Sequence, residues 1–238
     1  MTIRKYLPDF LTAMNLVCGL IALTYAFGDR PDIAFYLMLA AAVFDFSDGF
    51  AARALKAYSD LGKELDSLCD LVSFGVLPAV MLHRQMLSSG NSGWLCWIPL
   101  LLAVFSALRL AKFNVDERQH ASFIGLPTPA AAMLCAAFCH YVYMNPAGAP
   151  ASWAASGAFI PVLSAVLCAL LVCEIPMFSI KFRRDDGPAL RSKRLVLFVL
   201  AAVSAAACAV FGLTWSFAVI AVFTVYILLN IIFAIIRI

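Results

Sequence analysis

Charge is scarce in this chain. Only 13% of its 238 residues are Asp, Glu, Lys or Arg, and 64% are hydrophobic. Soluble domains carry about 25% charged residues, so an ordinary soluble fold is excluded. Paired cysteines are missing too. The eight cysteines (Cys18, Cys69, Cys96, Cys135, Cys139, Cys168, Cys173 and Cys208) form no CxxC pair and have no histidine at zinc spacing. They read as small buried hydrophobes, which excludes a zinc ribbon or a disulfide framework. His83, His120 and His140 are isolated, and none is read as a ligand. Internal repeats, low-complexity tracts and an inserted soluble domain are also lacking. The net charge of +3 contains no block resembling a nucleic-acid surface, so no nucleic-acid partner is expected. No small-x-small cleavage site closes the first apolar segment, so the first 25 residues are expected to span rather than to be cleaved.

What the chain does have is long apolar runs, several near the roughly 20 residues that cross a bilayer core of about 30 Å. Eight spans are read, at about 10–28, 33–55, 62–87, 94–112, 124–144, 151–173, 195–212 and 213–236. The expected fold is all-α, a polytopic transmembrane helical bundle forming one integral membrane domain over 1–238. Lys and Arg are placed unevenly: fifteen fall on one side of these spans, against Arg30 and Arg84 on the other. The crowded side should be cytoplasmic, with both termini on it. Outer connections such as GDRPD and SSGNSG are short. Inner ones such as KAYSDLGKE and KFNVDERQHASF are longer and charged. Spans seven and eight hold almost nothing ionisable and are read as accessory packing or dimerisation helices.

The acids concentrate in DFSDGFAARALKAYSDLGKELDSLCD, residues 45–70, between two apolar runs. An aspartate in a bilayer costs several kcal/mol unless it faces protein, water or metal. At 1.5 Å rise per residue, Asp45 and Asp70 each lie about 12 Å above the cytoplasmic boundary and Asp66 about 6 Å. Asp45 and Asp48 are spaced i, i+3, and Asp66 and Asp70 i, i+4, so each pair shares a helix face. The short loop makes the two helices antiparallel neighbours. Four carboxylates can then converge, and one or two hard divalent cations would turn their repulsion into ligation. Oxygen ligands suit Mg²⁺, Mn²⁺ or Ca²⁺ and argue against zinc or copper. Gly49 and Gly62 remove side chains beside the acids, and Arg53 supplies a guanidinium for phosphate oxygens. The set suits a diphosphate at the membrane surface. A cation-coupled transporter would explain the buried acids but not the glycines and the arginine.

Asp45-x2-Asp48-Gly49-x2-Ala52-Arg53-x8-Gly62-x3-Asp66-x3-Asp70 resembles, without gap or substitution, the signature of the CDP-alcohol phosphatidyltransferases. The likeness covers a core of six spans, about residues 8–175, leaving about 195–236 as accessory spans. RLAKFN (109–114), GLPTPAAA (125–132) and LVSFGVLPA (71–79) look like the bacterial phosphatidylserine synthase branch. The resemblance implies that Asp45, Asp48, Asp66 and Asp70 bind two divalent cations, Mg²⁺ or Mn²⁺, with Asp70 also the general base. It implies that Gly49, Ala52 and Gly62 make room for cytidine and ribose and that Arg53 contacts the diphosphate. Pro8-Asp9-x-x-Thr12 stands where the family usually has Pro-Asn-x-x-Thr. Thr12 is expected at the nucleotide, and Asp9 to cap the first helix.

The implied reaction is transfer of the phosphatidyl group from CDP-diacylglycerol to the hydroxyl of L-serine, giving phosphatidylserine and CMP. Glycerol phosphate, inositol phosphate or choline would use the same aspartates. An amino-acid acceptor needs a cation for its carboxylate, and Arg109 can bind one bidentately. Lys112 shares its helix face, Asn114 lies just beyond, and Thr128 opens span five between Pro127 and Pro129. These four are the expected serine pocket. The polybasic segment at 181–194 is expected to meet anionic headgroups of membrane lipids, and the resemblance implies a homodimer.

Overall fold

A computed structural model describes residues 6–116, 123–177 and 188–236. Arg4, Lys5, Arg118, His120, Lys181, Arg183, Arg184 and Arg237 lie outside the described residues, as does 181–187 of the polybasic segment.

The first helix, α1 (Leu7–Phe27), carries Pro8 in its first turn, where a missing N–H costs nothing. Tyr6 is its N-cap. Asp9 is therefore not the cap expected of it but the third helical residue, where a carboxylate still favours the helix dipole. α2 (Pro31–Leu55) also opens on proline and closes at Lys56, whose left-handed backbone (φ 51°) turns the chain. Ser59 then starts α3 (Asp60–Asp70), its hydroxyl accepting the Gly62 N–H at 2.9 Å. Directly after Asp70 the helix widens into a π-helical turn over Leu71–Val76 and continues as α4 (Leu77–Ser88). Pro78 lacks the N–H that would bond back to residue 74, which loosens the ladder there.

A 3₁₀ turn (Trp94–Leu100) containing Pro99 leads into α5 (Leu101–Val115). Then follow β1 (Phe123–Ile124), α6 (Thr128–Met144), α7 (Ala149–Ala155), α8 (Phe159–Val172) and β2 (Pro176–Met177). α9 (Pro188–Phe211) and α10 (Ser216–Ile236) complete the described chain. β1 and β2 form a two-residue antiparallel ladder pairing Phe123 with Met177. The run expected as one span over 151–173 is broken: α7 and α8 meet at 87°. Gly157 at φ +73° makes that corner.

The protein is an all-α polytopic membrane protein. Among the described residues, five helices are long and apolar enough to cross a bilayer, and the bent α7–α8 pair makes a sixth if it counts as one span. Thr128–Met144 and Leu195–Phe211 are shorter apolar helices. Large apolar side chains such as Phe10, Val43, Phe46, Leu68 and Val162 face outward, as lipid contact requires. At the centre lies α6, with 13 of its 17 residues buried. Its alanines and cysteines let α2, α4, α8 and α10 approach closely. All eight cysteines are free thiols, and every one except the half-buried Cys173 is buried.

Candidate active site

The site is built where α1, α2, α3 and α5 converge at one end of the bundle. One face of α2 presents Asp45 and Asp48, and α3 presents Asp66. A carboxylate oxygen from each of these three lies within 4.8 Å of the others. Thr12 of α1 donates to Asp48 Oδ2 at 2.5 Å and holds that carboxylate in place. Asp70, the fourth of the expected set, lines the same cavity as Asp45 and Asp66. It stands one turn beyond Asp66, outside the triad, and its Oδ1 accepts a hydrogen bond from Asn15 Nδ2 at 3.1 Å.

Oxygen-only donors at this spacing fit a hard divalent cation, and without one three carboxylates this close repel. The fit has a second support. Asn15 Oδ1 is a buried acceptor beside Asp70 that takes no hydrogen bond from the protein. Such atoms ordinarily face a water or an ion. The cluster can therefore hold a metal ion.

Two cavities meet at the triad. The first, about 210 Å³, is lined by Thr12, Asp48, Gly49, Ala52, Arg53, Gly62 and Asp66. Every residue expected at the nucleotide is thus on one wall system. Gly62 is closely approached: a Cβ there would lie 2.9 Å from Ser59 Oγ and 3.0 Å from Asp9 Oδ1, so those side chains would have to shift. Gly49 faces Arg53, whose Nη1 would sit 3.5 Å from an added Cβ.

The second cavity, about 390 Å³, shares Lys63 and Asp66 with the first. Asp45, Asp70, Arg109 and Asn114 line it. Arg109 is only 6% exposed; its guanidinium lies over the Phe113 ring at 5.2 Å and reaches Thr128 Oγ1 at 3.5 Å. Asn114 Nδ2 donates to Ser67 Oγ, and Lys63 Nζ donates to the Asn114 carbonyl, both at 2.9 Å. These bonds tie the end of α5 to α3.

Of the four residues expected for serine, the structure brings Arg109 and Asn114 to the cavity wall. Thr128 stands behind Arg109, buried. Lys112 is elsewhere: it pairs with Glu174 at 3.6 Å, both side chains largely in the open. Lys112 shares the Arg109 side of α5 but is not among the residues that line the cavity.

The sequence reading missed Asn15, which orients Asp70, and Phe223 and Tyr226 of α10, which line the second cavity. An uncharged amide inside an apolar run was the available signal for Asn15.

Residues 5–173 match the CDP-alcohol phosphatidyltransferase family. The chain belongs to that family. Its matched region ends at the residue after α8, so α9 and α10 lie beyond it. Among curated phosphatidyltransferases, the CDP-diacylglycerol–serine O-phosphatidyltransferase of Mycobacterium tuberculosis is 38% identical over 180 residues, 73% of this chain and 61% of that protein. The same-named enzyme of Bacillus subtilis is 38% identical over 143 residues, 60% of this chain and 78% of its own. That of Methanocaldococcus jannaschii is 37% identical over 143 residues, covering 59% and 65%. The match spans less than two thirds of the mycobacterial phosphatidyltransferases, down to 47% for Mycobacterium bovis.

Proposed function

We propose that this phosphatidyltransferase makes phosphatidylserine and CMP from CDP-diacylglycerol and L-serine. The observation that carries the reading is the pair of cavities joined at Asp66 and Lys63. One is walled by the family's nucleotide-side residues, and the other holds a buried arginine beside Asp70. The relatives named for serine transfer support the same acceptor.

In this reading Gly49, Ala52 and Gly62 leave room for cytidine and ribose, and Arg53 contacts the diphosphate. Thr12 fixes the Asp48 carboxylate. Divalent cations, two per site and Mg²⁺ or Mn²⁺, would be held by Asp45, Asp48 and Asp66 with Asp70 bordering them. They would offset charge on the diphosphate and on departing CMP. Arg109 receives the serine carboxylate, with Asn114 beside it and Thr128 bracing the guanidinium. Asp70, aimed by Asn15, accepts the proton of the serine hydroxyl. The serine oxygen forms its bond to the phosphatidyl phosphorus as the bond from that phosphorus to the CMP oxygen breaks. Lys112 has no part in holding serine. The active site faces the cytoplasm with both termini, and the family resemblance supports a homodimer.

A phosphorylated acceptor would need a denser set of cations than Lys63 and Arg109, the cationic residues on the described cavity wall. One assay tests the reading. Purified protein is given CDP-diacylglycerol, Mg²⁺ or Mn²⁺, and each candidate alcohol in turn, and CMP release is followed. Release with serine, stopping on chelation and returning with added cation, is expected. Release with another alcohol instead refutes the acceptor, and none with any alcohol refutes the transfer and restores the transporter.

A further inference from the structure

The second cavity is not closed by the family-matched region alone. Phe223 and Tyr226 line it from α10, in the last described helix. They are spaced i, i+3 and so share one face of α10. Asn230, one turn further, is also buried and donates Nδ2 to the Tyr226 carbonyl at 2.8 Å. A helix with merely apolar packing to do has no need of a buried tyrosine and asparagine on one stripe. Tyr226 is 1% exposed and among the largest fully buried side chains, and Arg109 is close enough to interact electrostatically with its phenol.

The helix is held at that level by its outer end. Ser216 Oγ and His140 Nδ1 lie 2.9 Å apart, and Asn145 Nδ2 donates to Thr214 Oγ1 at 2.7 Å. Trp215 stacks on Phe35 with centroids 5.1 Å apart and donates Nε1 to the Tyr36 hydroxyl at 3.2 Å. From Ser216 to Tyr226 is ten residues, about 15 Å along the helix. Down α6, His140 to Thr128 is twelve residues, about 18 Å. The pinned outer ends therefore deliver Tyr226 to the level where Thr128 and Arg109 meet.

We propose that α10 supplies the far wall of the acceptor cavity, and that Tyr226, with Phe223, sets the size of acceptor admitted. The two rings bound the cavity that Asp70 also lines, so the space they leave favours a short hydroxy amino acid over a longer one. This deepens the serine-transfer reading and rests on it.

The test is a competition. Purified wild type, Tyr226→Leu and Phe223→Leu each receive CDP-diacylglycerol and an equal mixture of L-serine and L-homoserine, one methylene longer. The two lipid products are quantified by mass spectrometry. Trimming either ring should raise the homoserine-to-serine product ratio about tenfold, the discrimination one methylene commonly carries. Loss of folded enzyme lowers both products alike and does not move their ratio. An unmoved ratio in both variants overturns the proposal, as does loss of both products from variants that melt at the wild-type temperature. A wild-type enzyme making neither product refutes serine transfer itself, whereas wild-type phosphatidylserine synthesis beside unmoved ratios refutes only the wall.

Discussion

Asp70 is held through one amide. Its Oδ1 has the 3.1 Å bond from Asn15, and Asn15 is in turn fixed by Ser73, whose hydroxyl donates to the Asn15 carbonyl at 3.2 Å. Ser73 belongs to the π-helical turn that follows Asp70, so the acid, its holder and the widened turn form one closed loop of contacts. Removing the amide leaves the carboxylate in place but free to rotate away from an incoming hydroxyl. Asn15→Leu should lower kcat about 10- to 100-fold, since a hydrogen bond to a charged group is worth about 1.5–3 kcal/mol. KM for CDP-diacylglycerol should stay near the wild-type value, because the nucleotide cavity does not include Asn15. Steady-state kinetics decide it, and an unchanged kcat sinks the orienting role. At this scale the sequence showed the acids clearly, since a bilayer penalises four aspartates between apolar runs unless they meet metal, water or protein. Helical spacing alone did not set Asp70 apart; its separate role as base came from the family resemblance. Helical spacing places residues on a face, but the tertiary partner that hydrogen-bonds the Asp70 carboxylate is 55 positions away.

At the scale of elements, the acceptor side depends on where α6 begins. The chain enters it through Gly125, whose N–H donates to the Ile175 carbonyl at 2.9 Å, while Leu126 N–H donates to the Leu170 carbonyl at 2.8 Å. These bonds and the β1–β2 ladder clamp the start of α6 onto the end of α8. Gly125 adopts φ +79°, and a Cβ there would fall 2.7 Å from the Leu171 carbonyl oxygen and 2.9 Å from that of Cys173. Gly90 has nearly the same backbone, φ +81°, but open space around it. The pair separates backbone strain from collision. Gly90→Ala should cost about 1–2 kcal/mol, the left-handed penalty alone. Gly125→Ala should cost about 3 kcal/mol or more, because carbonyls must also move. Thermal unfolding in detergent should therefore show the Gly125 variant melting well below the Gly90 variant, and equal midpoints would falsify the clamp. The opening of α6 at Thr128, between Pro127 and Pro129, was legible because prolines are local chemistry. The 87° break between α7 and α8 was not, because uniform apolarity hides a corner when lipid surrounds both arms. The inward face of α10 was hidden likewise: in an apolar helix, hydrophobic pattern no longer distinguishes the side facing protein from the side facing lipid.

For the whole molecule the question is which way it sits. Among the described residues, the carboxylates and arginines at the helix ends away from the acidic triad are Asp29, Arg30, Asp32 and Arg84. Arg30 pairs with Asp32 at 2.9 Å and Arg84 with Asp29 at 2.6 Å, each donating from Nε and Nη2 to the two carboxylate oxygens. The two cations that run against the positive-inside pattern are thus each matched by an acid, and their end of the bundle carries no net charge from these groups. The opposite end keeps Arg53 and Lys63 on the wall of the candidate site and Lys56 at the close of α2. Orientation follows lysine and arginine rather than net charge, and their excess at the end that holds the acidic triad favours that end toward the cytoplasm. Single cysteines placed by Ser92→Cys and Glu64→Cys, both exposed positions at opposite ends, read this directly. The native thiols give little background, since all but Cys173 are buried. A membrane-impermeant maleimide should label the Ser92 variant in intact spheroplasts and the Glu64 variant only in inverted vesicles. The reverse pattern would put the acidic triad on the outer face and overturn the cytoplasmic orientation.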